Sequence, residues 1–337
     1  MTRHATEGAA PGNARGGASS SHMASGSVLV LRSGALGDFV LTCPVFSALR
    51  AREPRWKTVY VGRDSFGELL MMAGLADRVV SQDSPEVVAL HSRAPGAALG
   101  RLLGESALAI SYLGSHDVAR NLLRAGTGEV LTCSARPVVG GRVHAADHLA
   151  SVLSGRLDVP SRARPRIEVP EAVKERARVA LAGIGPVADG YVVLHPGSGG
   201  PRKNWPSSRF RELAPLVRDA TGLAVVLVVG PAELERDRRC ADDLRTVADA
   251  VFAAPRLPLL AGLLTGAAAY VGNDSGVSHL AAACGAPTVA VFGPTDPAVW
   301  APRGPSVRVL RDASGSPGRV AVAAVLDALS TVRRTSI

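Results

Sequence analysis

The segment from Tyr270 to Trp300, YVGNDSGVSHLAAACGAPTVAVFGPTDPAVW, contains the pattern that decides the fold. An apolar strand (Ala268–Gly272) leads into a polar turn. A short helix follows and ends at Gly285, because a glycine in the left-handed conformation commonly terminates a helix. A second apolar strand (Pro287–Phe292) comes next. This succession of strand, helix and strand predicts a parallel sheet with helices packed on it.

The polar turn Asn273-Asp274-Ser275-Gly276 lies at the predicted carboxyl edge of that sheet. Either Asp274 or Ser275 is placed to cap the helix, whose N-terminus carries free N–H groups and a partial positive charge that favour phosphate. The carboxylate of Asp274 can accept hydrogen bonds from sugar hydroxyls, and His279, one turn further on, can donate to phosphate. The turn therefore predicts a nucleotide-sugar pocket. The alternative is simple helix capping beside an ordinary, partly buried histidine.

A second glycine-containing turn follows the first predicted strand, Ser27–Leu31. Gly34 and Gly37 allow the backbone to approach a ligand or a neighbouring helix closely. Asp38 ends this turn at the carboxyl end of the strand, where open α/β sheets place their sites. It is predicted either to cap the next helix or to act as a general base, and spacing alone favours the cap. Pro44 interrupts the following apolar segment, so either a separate turn precedes the helix or the helix bends there.

Two further loops in the second half of the chain carry polar groups after predicted strands. Residues 195–206 form the first loop, in which Gly197–Gly200 can wrap an anion with backbone N–H groups and Lys203 can clamp a phosphate. The alternative is an exposed flexible loop. The second follows the strand that ends near residue 229 and carries Glu233 and Glu235. These two carboxylates either favour the dipole of their own helix or bind ribose hydroxyls.

Strands and helices alternate along the whole chain, which predicts an α/β protein with parallel, doubly wound sheets. The Pro- and Arg-rich segment Asp158–Val169 separates two such series. We therefore expect a disordered Gly-, Ala- and Ser-rich tail at 1–26, a first domain at 27–160, a linker and connecting helix at 161–184, a second domain at 185–315 and a C-terminal helix at 316–337.

Composition and charge limit the partners of the chain. A formal net charge of +9 suits an anionic ligand or a membrane surface. Nucleic acid is disfavoured because aromatic residues are scarce and no basic helix is evident. No apolar segment approaches the roughly 20 residues of a membrane span, and no signal peptide is recognised. The four cysteines are widely spaced, as expected for free thiols in a reducing cytoplasm: Cys43, Cys133, Cys240 and Cys284.

Two other chemistries are disfavoured by single residues. A dinucleotide site would place an acidic residue after the second strand to bind the ribose, and this chain has Arg63 there. His144 and His148, four residues apart on a predicted helix, could share a zinc ion. No third ligand is evident, and Asp147 between them is expected to be a surface partner. Neither a dehydrogenase nor a zinc enzyme is therefore favoured.

Three segments together resemble glycosyltransferase family 9, the ADP-heptose:lipopolysaccharide heptosyltransferases. They are VLVLRSGALGDFVLTCPVFSALR at 28–50, VVLHPGSGGPRKNWP at 192–206 and GNDSGVSHLAAACGAPTVAVFGPTDP at 272–297. The resemblance implies a GT-B fold, in which two Rossmann-like domains face a cleft and the second domain holds the donor. It also implies an inverting transfer that needs no metal or other cofactor, and the sequence contains no D-x-D motif.

Carried to this sequence, the resemblance implies that Asp38 is the catalytic base within a turn built on Gly34 and Gly37. It assigns donor binding to a set of residues in the second domain: Ser198, Lys203, Glu233, Asp274, Ser275, Gly276 and His279. The first two would contact phosphate, Glu233 the ribose and Asp274 the sugar hydroxyls, while the last three would surround the diphosphate. Residues that grip the acceptor are not assigned by the resemblance.

Several functions remain compatible with these residues. The acceptor of a transferase could be the lipopolysaccharide core or a small natural product, and the first of these implies peripheral association with a membrane. A sugar-nucleotide epimerase on the same architecture would convert the donor without an acceptor. A non-catalytic protein that binds nucleotide sugars is a third reading, which the presence of Asp38 disfavours.

Overall fold

A computed structural model describes residues 26–92, 106–157, 160, 162–184, 190–236 and 244–333 of the chain. Apart from Gly26, the predicted tail at 1–26 lies outside the described residues. Within the described ranges, no helix is both long enough and apolar enough to cross a bilayer.

The first half of the chain folds around a sheet of five parallel strands in the order β3-β2-β1-β4-β5. The strands are β1 (Ser27–Arg32), β2 (Lys57–Gly62), β3 (Arg78–Ser81), β4 (Ser106–Ser111) and β5 (Glu129–Thr132). The central strand β1 pairs with β2 on one side and β4 on the other. Because the strand order reverses at β1, the loops after β1 and β4 border the crevice where open α/β sheets bind ligands.

The second half contains a sheet of six parallel strands in the order β11-β10-β9-β6-β7-β8. Its strands are β6 (Tyr191–His195), β7 (Ala224–Val229), β8 (Ala250–Ala253), β9 (Ala269–Asn273), β10 (Thr288–Phe292) and β11 (Val307–Arg311). The reversal of order falls between β6 and β9, so the loops after these two strands lie side by side. The predicted GT-B architecture, with two doubly wound parallel sheets, is confirmed.

The helices pack on both faces of these sheets. Those of the first half are α1 (Leu36–Val40), α2 (Cys43–Arg52), α3 (Asp64–Met72), α4 (Pro85–Ala89), α5 (His116–Arg124) and α6 (Ala145–Ala150). Those of the second half are α7 (Glu171–Ala182), α8 (Ser207–Thr221), α9 (Pro231–Arg236), α10 (Leu257–Gly266), α11 (Gly276–Ala283), α12 (Pro297–Trp300) and α13 (Val322–Val332). Strands β6 and β9 are buried along their whole length, which explains their continuous apolar sequences.

Local sequence decides where several helices begin and end. Pro44 lies in the first turn of α2, so α1 is a separate helix rather than the first part of a bent one. Gly285 follows α11 with φ +81°, the left-handed conformation that was expected of it. The C-terminal helix, predicted within 316–337, begins at Val322, because Pro317–Arg319 forms a separate 3-10 turn.

The two halves meet where the N-terminal ends of α1 and α11 come together. A Cβ atom added to Gly276 would lie 2.7 Å from Leu36 Cβ and 2.8 Å from the Gly37 nitrogen. A Cβ atom added to Gly37 would lie 3.1 Å from His279 Cδ2. A side chain would therefore clash at Gly276 and crowd His279 at Gly37, and the two glycines bring the turn after β1 against the turn after β9.

A second connection between the halves is made by Asp147, which was expected to be a surface partner. The guanidinium of Arg303 donates to both of its carboxylate oxygens, at 2.6 and 2.7 Å, and the Ala163 N–H donates to Oδ1 at 2.7 Å. Both charged side chains are largely buried, with 23% and 13% of their surface exposed. The surface prediction is wrong because α6 faces the loop after α12 and turns Asp147 toward it.

The Asp147 pair predicts a pH dependence of stability. Burial raises the pKa of this carboxyl, but the donors of Arg303 and Ala163 outweigh it and hold the pKa below its usual value. The ionised form therefore stabilises the folded chain at neutral pH, and this contribution is lost as the pH falls through the folded pKa, below about 4. We expect Asp147→Asn to lower the free energy of unfolding by about 1–3 kcal/mol at pH 7.

Denaturant unfolding at a series of pH values checks this expectation. The difference between wild type and Asp147→Asn should shrink below about pH 4. Asp219→Asn, on the exposed face of α8, serves as the matched control and should change little at any pH. A difference that stays constant down to pH 3 would contradict the role given to the ionised carboxylate.

Candidate active site between the two sheets

The turn after β9 is held by hydroxyl groups. Ser275 caps α11, because its Oγ accepts a hydrogen bond from the Ser278 N–H at 3.3 Å. The Ser278 hydroxyl in turn donates to the Asn273 carbonyl, and the Tyr270 hydroxyl lies 3.0 Å from the Ser278 hydroxyl oxygen. Of the two predicted caps the structure therefore uses Ser275, which leaves the carboxylate of Asp274 available for other partners.

Asp274 is buried and is paired with residues from two neighbouring loops. The Lys203 ammonium lies 2.8 Å from Oδ2, and the Thr295 hydroxyl donates to the same oxygen. Only 6% of the Asp274 side chain is exposed, against 35% for Lys203. The predicted phosphate clamp and the predicted acceptor of sugar hydroxyls are thus brought into direct contact, with the lysine on the solvent side.

Asn273 joins the 196–205 loop to the turn after β9. In the sequence it was evident only as a turn residue. Its amide oxygen accepts from the Trp205 N–H at 2.8 Å, and its amide nitrogen donates to the Pro196 carbonyl at 2.6 Å. The side chain is fully buried. Because a buried amide is costly unless its groups are paired, this arrangement fixes the 196–205 loop against the turn that leads to α11.

Ser198 stabilises its own loop. Its hydroxyl lies 2.8 Å from the Gly200 carbonyl and 2.5 Å from Asn204 Oδ1, and it accepts from the Gly200 N–H at 3.2 Å. The side chain is buried, whereas the neighbouring Gly199 is exposed with open space beside its Cα. The contact between Ser198 and a donor phosphate stays a prediction, and the open edge of the loop is the backbone at Gly199.

His279 occupies the centre of the site. It is 5% exposed, and its buried Nδ1 has no hydrogen-bond partner within the described part of the chain. Burial lowers its pKa to about 4, with Asp274 and Asp38 opposing the shift and His144 and Lys203 adding to it. These four groups, drawn from both halves, therefore surround one imidazole. The ring is neutral at pH 7 and can offer one N–H donor.

Asp38 fills the first of the two roles that the sequence left open, that of a helix cap. It lies in the first turn of α1, where its Oδ2 accepts from the Ala35 N–H at 3.4 Å. About a fifth of the side chain remains exposed. Gly34 adopts φ +113°, and a Cβ atom there would lie 3.2 Å from Oδ2. The carboxylate thus closes the turn and is accessible to a ligand, while its role as a base stays a prediction.

Arg32, whose role the sequence did not reveal, stabilises the turn that carries Asp38 through hydrogen bonds to backbone carbonyls. It is 3% exposed, and its Nη2 donates to the Asp38 carbonyl at 3.3 Å and to the Ala135 carbonyl at 3.4 Å. The same nitrogen lies 3.8 Å from Asp38 Oδ1, and the guanidinium carbon is 5.7 Å from the centre of the Tyr112 ring. Burial lowers the pKa of Arg32, and Asp38 opposes this shift. An arginine that ends a buried strand just before a glycine turn is the signal that could have found it.

Glu233 caps its own helix in the structure. Its Oε2 accepts from the Gly230 N–H at 2.8 Å, and a Cβ atom on Gly197 would lie 2.0 Å from its carboxyl carbon. The carboxylate thus lies under the 196–205 loop and close to His195. Burial lowers the pKa of His195, which donates from Nδ1 to the Val228 carbonyl, and Glu233 opposes that shift. The contact to a ribose stays a prediction, and the side chain of Glu235 lies outside the described residues.

The two histidines considered for zinc face different partners. His144 accepts from the Ala146 N–H at Nδ1 and donates from Nε2 to the Ala301 carbonyl, 2.9 Å away. His148 donates from Nε2 to the Ser134 carbonyl at 2.9 Å. Among the residues whose structure is described, no group of three or more His, Cys, Asp or Glu side chains is placed to hold a metal. His144 instead links α6 to the second half beside His279.

The fold and the converging residues define a two-sheet α/β protein whose site lies where the halves meet. The profile of glycosyltransferase family 9 (heptosyltransferase) matches residues 130–324, more than half of the chain. The chain belongs to this family, as the sequence predicted.

Relatives and solved structures agree with this assignment. Lipopolysaccharide heptosyltransferase 1 of Pseudomonas aeruginosa is 36% identical over 201 residues, 57% of this chain and 52% of that protein. The chain thus spans about half the length of this relative. A family 9 glycosyltransferase from Veillonella parvula superposes with a TM-score of 0.75 at 21% identity, covering 91% of this chain and 97% of that one. ADP-heptose lipopolysaccharide heptosyltransferase II of E. coli gives 0.75 at 21% identity, with 91% and 98% covered. At this identity the two structures show a shared fold.

The state of His279 can be tested directly. Since burial depresses its pKa to about 4, protonation favours the unfolded chain, and stability should rise as the pH increases from about 4 to the unfolded value near 6.5. NMR titration of the imidazole, assigned by its loss in His279→Gln, should show a neutral ring down to about pH 5. Protonation with a midpoint above 6 would contradict the packing described for this ring.

Proposed function

We propose that the chain is a glycosyltransferase that moves a heptose, or a related sugar, from a nucleotide sugar to an acceptor hydroxyl. ADP-heptose is the donor that we propose, on the strength of the E. coli protein to which the chain is similar. The observation that carries the proposal is the contact between the halves at His279. A Cβ atom on Gly37, next to Asp38, would lie 3.1 Å from His279 Cδ2. Asp274 follows the same strand as His279, and its partner Lys203 follows the neighbouring one.

The donor is proposed to lie against the N-terminus of α11. The N–H groups of its first turn and the helix dipole favour the diphosphate, and the exposed backbone at Gly199 offers a second wall. Lys203 then leaves Asp274 for the diphosphate, and the freed carboxylate accepts hydrogen bonds from the sugar hydroxyls. The ion pair between these two side chains, at 2.8 Å, would thus hold the pocket in shape until the donor replaces it.

The reaction that we propose is a single displacement. Asp38 takes the proton of the acceptor hydroxyl while its oxygen attacks the anomeric carbon. The bond to the nucleoside diphosphate breaks, and the leaving group departs with the electron pair, so the configuration at the anomeric carbon inverts. Lys203, the N–H of neutral His279 and the end of α11 stabilise the leaving group, which is why we propose that no metal is required.

Arg32 is proposed to position the base. Through its bonds to the Asp38 and Ala135 carbonyls it holds both the start of α1 and the loop after β5. Its Nη2 lies 3.8 Å from Asp38 Oδ1, so the guanidinium also faces the carboxylate. We propose an acceptor bound beside this turn, either a lipopolysaccharide core or a natural product. The former would bring the chain to the cytoplasmic face of a membrane.

The role of Asp38 predicts a separation of catalysis from binding. Asp38→Asn keeps the acceptor for the Ala35 N–H but cannot take a proton. Transfer from ADP-heptose should therefore fall by about 10²–10⁴-fold, while the affinity for ADP, measured by calorimetry, changes less than about threefold. The distant surface variant Asp219→Asn should retain full activity. Near-normal turnover by Asp38→Asn would exclude this residue as the base.

The role of Lys203 predicts the opposite pattern. Lys203→Met keeps the length of the side chain and removes its charge, so the affinity for ADP should fall by about 10–100-fold, the worth of a charge-assisted hydrogen bond. Adenosine, which lacks the diphosphate, should bind this variant and the wild type alike. An equal loss for adenosine and ADP would show a structural defect of the loop instead of a lost phosphate contact.

A further inference from the structure

The loop between β5 and α6 presents an unusual surface. In the acceptor-side loop, defined here as residues 136–143 with the sequence RPVVGGRV, Val138 is 81% exposed, Val139 100% and Val143 55%. Isolated exposed apolar residues are common in proteins. Three exposed valines within six residues, two of them adjacent and almost fully exposed, form an apolar surface that indicates a binding role.

The backbone conformation of the loop exposes Val138 and Val139 to solvent. The Gly141 N–H donates to the Val138 carbonyl at 3.0 Å, and Gly140 adopts φ +79°. These two features make Val138 to Gly141 a tight turn in which glycine takes the position that requires positive φ. Val139 therefore lies at the corner of the turn, where no side chain of the loop can cover it.

Both ends of the acceptor-side loop are anchored at the candidate active site. Before it, the Ala135 carbonyl accepts from Arg32, which also bonds the Asp38 backbone. After it, His144 caps α6 and donates to the Ala301 carbonyl of the second half. The loop thus projects from the edge of the candidate active site. It lies on the side of Asp38, the proposed base, and away from the proposed donor pocket.

The charges around the valines have one sign. Arg136 and Arg142 flank them and are exposed, and neither has an acidic partner within the described parts of the chain. No Asp or Glu occurs between residues 133 and 146. Arg162, also exposed, lies close enough to His144 to lower its pKa further, after burial. The apolar corner is therefore flanked by two positive charges that no acidic residue of the loop neutralises.

We propose that the acceptor-side loop docks on an anionic membrane surface. Val138 and Val139 enter the boundary between headgroups and acyl chains, and Arg136 and Arg142 bind lipid phosphates at the headgroup level, the depth at which long basic side chains settle. A free saccharide would find no hydrogen-bonding group on the two valines. The aromatic anchors that are typical of protein interfaces are also missing from this loop.

Docking at this place has a consequence for the acceptor. Because the loop begins next to Arg32 and the turn that carries Asp38, a membrane bound to it lies beside the proposed base. An acceptor anchored in that membrane would then present its sugar to the site without leaving the bilayer. This inference deepens the proposed function, on which its consequence for the acceptor rests, by naming the surface that meets the membrane, whereas membrane binding itself requires neither donor nor catalysis.

Vesicle binding of the full chain tests the proposal. Sedimentation is measured with vesicles of phosphatidylcholine alone and with vesicles that also contain phosphatidylglycerol, neither carrying any saccharide. The wild type should bind the anionic vesicles and lose binding as salt is added. The double variant Arg136→Gln, Arg142→Gln should bind them about fivefold more weakly per arginine removed. The double variant Val138→Ser, Val139→Ser should bind at least about tenfold more weakly.

Two variants on other surfaces serve as controls. Val179→Ser, on the exposed face of α7, and Arg211→Gln, on that of α8, should bind vesicles like the wild type. ADP affinity should be the same in all variants, which separates a failure of the loop from a failure of the proposed transferase.

Three outcomes would overturn the proposal. The first is wild-type protein that ignores anionic vesicles, and the second is loop variants that bind them as well as the controls do. The third is loss of self-association in the valine variant, seen by sedimentation velocity, with unchanged vesicle binding. That result would make the loop an interface between two copies of the chain.

Discussion

The close approach of two helix ends is the constraint on which the candidate active site depends. The N-terminal turn of α1 packs against that of α11 because a Cβ atom on Gly276 would clash with Leu36 and Gly37, while Gly37 itself leaves room for His279. Helix N-termini both favour negative charge, so two of them side by side form a site that attracts an anion. The same contact places His279 between the halves. It also brings Asp38, from the first half, and Asp274, from the second, to the same candidate active site.

Burial of charge around this contact explains how the site keeps its shape. Arg32 and Asp274 are both almost fully buried, a costly position for a charge unless it is paired. Arg32 donates from Nη2 to two backbone carbonyls, and Asp274 is paired with Lys203 and Thr295. His279 avoids the cost by staying neutral, since burial depresses its pKa. Arg32 and Asp274 each have a partner from a loop distant in sequence, which ties these loops together.

The fold could be predicted from the sequence because its signals are local. Continuous apolar strands, a glycine in left-handed conformation after α11 and the alternation of strands with helices each act within a few residues. Several positions of the site were predictable for the same reason: Ser275 and Asp38 lie in helical first turns at carboxyl ends of central strands, where function and capping use the same residue type. Sequence could not decide between those two uses; at Asp38 the structure shows the capping contact and leaves about a fifth of the side chain exposed.

The missed residues depend on contacts that no short segment reveals. Asn273 joins a loop 68 residues earlier in the chain, and Arg32 reaches the Ala135 carbonyl 103 residues later. Asp147 was expected at the surface because its own helix gives no sign of Arg303, which lies 156 residues further on. The Lys203–Asp274 pair is similar, since two residues with separately predicted roles turned out to neutralise each other. Secondary structure could thus be predicted from the sequence, whereas the pairing of charged side chains distant in the chain could not.

The most direct test of the account is a crystal structure of the chain with ADP bound. We expect the diphosphate to lie within about 2.7–3.2 Å of the first N–H groups of α11 and of the Lys203 ammonium, with Asp274 released from the lysine and His279 between the nucleotide and Asp38. A diphosphate bound at the carboxyl edge of the first sheet, with the Lys203–Asp274 pair intact, would contradict it.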